Sequence, residues 1–132
     1  MLSQQQTLEQ KRAQRAWNDI QSVVNRSDEF KKKYGSLARR VPMLVLTNGL
    51  GQTLAFLRAK GKNDQSDEHN VLFNHLSAWT MSQVAPNVSD QNLLNWVLKS
   101  DSTAYRRATA EALAYLVWLK RFAEAELPTE EG

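Results

Sequence analysis

Apolar residues return along this chain at intervals of three and four, and each run with that period predicts a helix with one buried face. Phe30, Tyr34, Leu37, Ala38, Val41 and Val45 form the central stripe; after a break at Thr47-Asn48-Gly49, Leu50, Thr53, Leu54 and Leu57 resume it. Pro42 lacks a backbone donor and disfavours helical geometry at Val41, so the stripe should kink there or a new helix should start with Pro42 in its first turn. Residues 34–60 are therefore expected to be two helices or one sharply bent one.

The flanking segments follow the same logic. Ala13, Ala16, Trp17, Ile20, Val23 and Val24 share one face of a helix over residues 8–27. Ser27 or Asp28 can cap the next helix, whose Gly35 costs about 1 kcal/mol relative to Ala and must be carried by packing. Residues 61–68 contain no hydrophobic side chain and read as an acidic surface loop. Beyond it the pattern predicts a helix over residues 67–84 with Val71, Leu72, His75, Leu76 and Trp79 inward, then a short helix capped by Ser89. A long final helix capped by Ser100 or Asp101 should run to Pro128. The expected fold is all-α, one domain over residues 1–132, a bundle of about five to six helices. It divides into a basic half (1–62), a second helical half (69–127) and a frayed tail (128–132).

With 132 residues the chain can bury about two-thirds of the surface its unfolded form would expose. It has no apolar run of membrane-spanning length, and its N-terminus has glutamines and charges where a signal peptide needs an apolar segment; a cytoplasmic protein is expected. The absence of cysteine removes disulfides, thiolate zinc sites and thiol nucleophiles.

Charge changes the picture more. Residues 1–62 hold twelve Lys and Arg against four acids, a net +8; residues 63–132 hold five against ten, a net −5. A positive half on a small chain is an electrostatic footprint for a polyanion, although solvated helix faces carry such charge too. The candidate polyanion-contacting residues are Lys11, Arg15, Arg26, Lys31, Lys32, Lys33, Arg39, Arg40, Arg58, Lys60 and Lys62. Lys32 with Arg39, and Lys33 with Arg40, lie seven residues apart and would align as two short rails on a regular helix.

Nothing in the pattern points to catalysis. Gly49 and Gly51 flank Leu50 without completing a dinucleotide fingerprint or a phosphate loop, so a turn or a close helix approach explains them better. His69 and His75 point in different directions on one helix and cannot share a metal. The four tryptophans, Trp17, Trp79, Trp96 and Trp118, lie in apolar stripes, where core packing outweighs base stacking. No catalytic residue, metal or cofactor is expected.

Tyr34, Ala38 and Pro42, then NGLGQTLAFL from Asn48 to Leu57 and Lys60, then YRRATAEALAYLVWLKRFAEAEL from Tyr105 to Leu127, resemble the small subunit of the Cmr complex, the type III-B CRISPR RNA-guided effector. The resemblance implies an all-helical, non-catalytic subunit present in several copies along the guide RNA and target RNA. Its implied partners are further copies of itself, the repeated backbone subunit, which cleaves target RNA in such complexes, and the large subunit. The resemblance marks Asn48, Gly49, Gln52 and Phe56 as fold determinants. The small subunit of the related type III-A complex is the alternative within this class. A small helical DNA-binding regulator is the alternative outside it, although no recognition helix stands out.

Overall fold

In the computed structural model, which describes residues 6–130, every regular element is helical: α1 Leu8–Val24, α2 Asp28–Asn48, α3 Leu50–Gly61, α4 Glu68–Val84, α5 Leu93–Leu98 and α6 Ser102–Glu126. The long α6 is the post of the bundle, with α1, α2 and α4 packed along it, while α3 packs on α4, α2 and α5. Ala108, Ala112 and Ala123 let neighbouring helices approach α6 closely, and Tyr115, Leu116 and Leu119 fill the space between. Each fully buried Leu or Ile contributes about 1.5–3 kcal/mol of transfer free energy. Because α1 and α2 come from the basic half and α6 from the acidic one, the core is continuous across the change of charge sign.

Polar side chains set most of the boundaries. Thr7 and Gln10 form a reciprocal capping box on α1, Ser27 Oγ accepts from Phe30 N at 3.1 Å, and Asp101 Oδ1 accepts from Ala104 N at 2.8 Å. The first helix stops at Val24 rather than near Ser27, since Ser27 is already committed to capping α2. The short helix is capped by Asn92, not Ser89: Asp90 accepts from Asn92 N and Asn95 Nδ2, holding residues 90–92 in a turn that delays the helix start.

The central stripe is two helices, and the division lies at Gly49 rather than Pro42. α2 runs through Pro42, which is buried between Val41 and Val45; that packing offsets an interior-proline cost of about 3 kcal/mol. At Gly49 φ is +89°, a backbone geometry open to glycine and costly for other residues. One residue thus closes α2, donating to Val45 O, and opens α3, accepting from Thr53 N.

Gly35 is accounted for by contact. A Cβ there would lie 2.5 Å from the Pro128 carbonyl oxygen, so only glycine lets the end of the chain cross α2 at this point. Glu130 N then donates to the buried Ser36 Oγ at 2.7 Å, so residues 128–130 of the expected loose tail lie against α2; residues 131 and 132 fall outside the described residues. Trp79 is buried as expected, and Trp96 and Trp118 pack partly against the core. Trp17 is 37% exposed, its ring edge-on to Phe122 at 5.2 Å, because α1 buries Ala16 and Ile20 toward α6 and leaves Trp17 at the rim.

Candidate nucleic-acid interface

The eleven candidate cations divide by what surrounds them. Arg15 lies 4.0 Å from Asp19 and over the Trp79 ring; Arg26 stacks on Phe30 at 3.9 Å; Arg58 lies over Phe73 at 5.2 Å. Lys31 pairs with Asp28 at 3.3 Å, Lys33 with Glu29 at 3.1 Å, and Arg39 approaches Glu124 at 3.9 Å while donating to Thr129. Hydrogen bonding to Glu29 raises the Lys33 ammonium above its ordinary value. Lys11, Lys32, Arg40, Lys60 and Lys62 are exposed and make no ion pair with a described residue. They are spread over α1, α2 and the end of α3, not gathered in one pocket.

Since α2 is unbroken from residue 28 to 48, Lys32–Arg39 and Lys33–Arg40 do keep helical alignment. Each rail nevertheless has one member paired with a carboxylate, Arg39 in the first and Lys33 in the second. Lys32 and Arg40 are the unpaired charges that remain on this helix.

Two buried polar clusters went unread in the sequence, and both fasten helices together. Arg12 holds Glu111 with two hydrogen bonds of 2.7 and 2.8 Å, and Trp79 Nε1 donates to the same carboxylate at 2.9 Å. Burial alone would raise the Glu111 carboxyl, but the hydrogen bonds from Arg12 and Trp79 hold it below its usual value. In the second cluster Tyr34 OH lies 2.7 Å from His75 Nδ1, His75 Nε2 lies 3.9 Å from Asp19, and Tyr115 OH donates to the other Asp19 oxygen. Burial depresses the His75 imidazole, partly opposed by Asp19, and burial raises the Asp19 carboxyl against the pull of His75, Tyr115 and Arg15. A neutral His75 accepting from Tyr34 and presenting its Nε2–H toward Asp19 satisfies these partners. No local pattern distinguishes Arg12 from Lys11 or His75 from His69; the partners are remote in sequence.

His69 faces elsewhere, edge-on to Phe56 at 5.9 Å and 2.8 Å from Asp67. Asp67, Glu68 and His69 bring ligand-type atoms within 4.8 Å of one another, but Asp67 Oδ1 already caps α4 and bonds the His69 ring, ordinary acid placement at a helix N-terminus.

Comparison with known proteins agrees with the helical order and the segments that carry the resemblance. A family model described as CRISPR-associated protein (Cas_Cmr5) matches residues 8–126. The CRISPR system Cmr subunit Cmr5 of Thermus thermophilus is 32% identical over 113 residues, covering 86% of this chain and 90% of that one. Its counterpart from Thermotoga maritima is 28% identical over 127 residues, covering 96% and 89%. The crystal structure of a CRISPR-associated Cmr5 family protein from Thermus thermophilus superposes with a TM-score of 0.75 at 29% identity, over 92% of this chain and 98% of that one. The match extends from the first turn of α1 to the last residue of α6, and the chain belongs to the Cmr5 family of CRISPR-associated proteins.

Proposed function

We propose that this chain is a non-catalytic small subunit of a type III-B Cmr ribonucleoprotein in the cytoplasm, stacked in several copies along the guide and target RNA beside the backbone and large subunits. The observation that carries the reading is the family match across residues 8–126, which spans the whole helical bundle. Its role there is to steady target binding in antiviral defence. Lys11, Lys32, Arg40, Lys60 and Lys62 are the phosphate contacts: they are exposed, unpaired with described acids, and need no particular base. Contacts so dispersed are weak singly in physiological salt and gain from repetition along one strand.

The test is an assembled complex carrying Lys32→Glu, Arg40→Glu, Lys60→Glu and Lys62→Glu, with incorporation checked by mass. Target-RNA retention should fall similarly for two unrelated guides, and the salt dependence should flatten by about 0.7 in log–log slope per lost single-strand contact. Normal incorporation with unchanged affinity and slope would show that these cations face solvent or protein.

A further inference from the structure

We infer that residues 127–130 form a strap that closes over the basic face of α2 and has to lift before an RNA strand can lie along that helix. The inference rests on the reading of Lys32 and Arg40 as phosphate contacts. The strap is fastened at four places. Leu127 is buried, Pro128 O passes over Gly35, Thr129 Oγ1 accepts from Arg39 Nη1 at 3.3 Å, and Glu130 N donates to the buried Ser36 Oγ at 2.7 Å.

The strap crosses between the cations. Lys32 stands one turn before Ser36 and Arg40 one turn after it, and Arg39 follows Gly35 by one turn, so on an unbroken α2 these residues share a face. Lys32 and Arg39 are separated by about 10 Å along the axis. A strand that contacts both has to pass over Gly35 and Ser36, where Pro128 and Glu130 already lie. Glycine at position 35 lets the strap come down onto the helix backbone, closer than any side chain there would allow.

The strap also engages groups that a phosphate would use. Arg39 directs its guanidinium to Glu124 at 3.9 Å and to the Thr129 hydroxyl. Hydrogen bonding to Glu29 is the main influence raising the Lys33 ammonium, and Glu68 and Glu130 act in the same sense, so the carboxylate of the strap reaches the second rail as well. Lifting the strap removes one acceptor from Arg39 and one carboxylate from the field at Lys33, and it uncovers the ground between Lys32 and Arg40.

The fastening is light enough to open. Beyond Leu127 none of residues 128–130 is buried: Pro128 and Glu130 are exposed and Thr129 is half-buried. Among the described residues two hydrogen bonds hold this part, and Leu127 can stay seated beneath it as the hinge. A segment with so few apolar contacts belongs to the low-stability end of a fold, where opening does not require unfolding.

The experiment uses the reconstituted complex with four forms of this chain: wild type, Lys32→Glu with Arg40→Glu, a form ending at Leu127, and Ser36→Cys with Glu130→Cys. The chain has no cysteine of its own, so the last pair can be joined selectively by oxidising the purified protein before assembly. Removing the strap should strengthen target-RNA retention about fivefold, because a partner that binds only the open form loses affinity in proportion to the open fraction. The disulfide-locked form should retain RNA about tenfold less well than the same form reduced. Both of those forms lack the Glu130 carboxylate, so their difference reports coverage and not charge. Failure of the disulfide to form in the folded chain would overturn the placement of the strap. Unchanged retention with Lys32→Glu and Arg40→Glu would overturn the phosphate-contact reading and this inference with it. Weakened retention in that variant, with equal retention by the locked and reduced forms, would overturn the strap alone.

Discussion

Gly51 donates its backbone N–H to the hydroxyl of Tyr105 at 2.8 Å, which ties the first turn of α3 to the first turn of α6. A Cβ on Gly51 would stand 3.2 Å from that oxygen, a tight contact that crowds the hydroxyl unless the Tyr105 side chain gives way by a few tenths of an ångström. The segments that carry the family resemblance, NGLG and YRR, therefore touch.

Tyr105→Phe should cost about 1 kcal/mol by leaving the Gly51 N–H without its partner. Gly51→Ala alone sets a helix-propensity gain of about 1 kcal/mol against crowding of the hydroxyl, whereas in the Tyr105→Phe background the crowding is gone and the gain remains. Urea unfolding of both single variants and the double variant should give a non-additive cycle in which Gly51→Ala is more favourable in the Tyr105→Phe background than in the wild-type chain. Additive changes would mean that the contact carries no coupling.

The Asp19–His75 pair predicts opposed pH responses. The folded His75 pKa lies below its ordinary 6.5, so its contribution to stability is present above 6.5 and is lost as pH falls through the lowered value. The folded Asp19 pKa lies above its ordinary 3.8, so its contribution is present below 3.8 and is lost as pH rises through the raised value. Chemical denaturation from pH 7.5 downward should show wild type weakening below pH 6.5. His75→Gln, which keeps an acceptor for Tyr34, should lack that slope. An identical slope in the variant would place the titrating group elsewhere.

Arg12 and Glu111 illustrate why a cation in a basic half need not face RNA. Arg12→Ala should destabilise by about 3 kcal/mol, because it leaves the largely buried Glu111 carboxylate with the Trp79 donor alone. Arg12→Met combined with Glu111→Gln removes both charges while keeping an acceptor for Trp79, and thermal unfolding should show most of the loss recovered. Arg12→Ala behaving like an exposed-lysine substitution would contradict this account.

The amino-acid sequence by itself determined the helical class, the order of the segments and most buried positions. Those follow from a short-range rule, in which a period near 3.6 places Tyr34, Leu37, Ala38, Val41 and Val45 on one face whatever they later meet. It also carried enough motif in NGLGQTLAFL and around Tyr105 to indicate the family. Tertiary structure decided the rest, because those outcomes depend on partners far away in the chain. Pro42 stays inside α2 because its neighbours are buried against the bundle, and Gly35 is required because Pro128 crosses above it. Of the basic half, Lys11, Lys32, Arg40, Lys60 and Lys62 remain unpaired with described residues, whereas Lys33 meets Glu29, Arg39 meets Glu124 and Arg12 meets Glu111. Formal charge is a property of composition, but the charge a surface can offer a partner depends on which carboxylates the fold brings within reach.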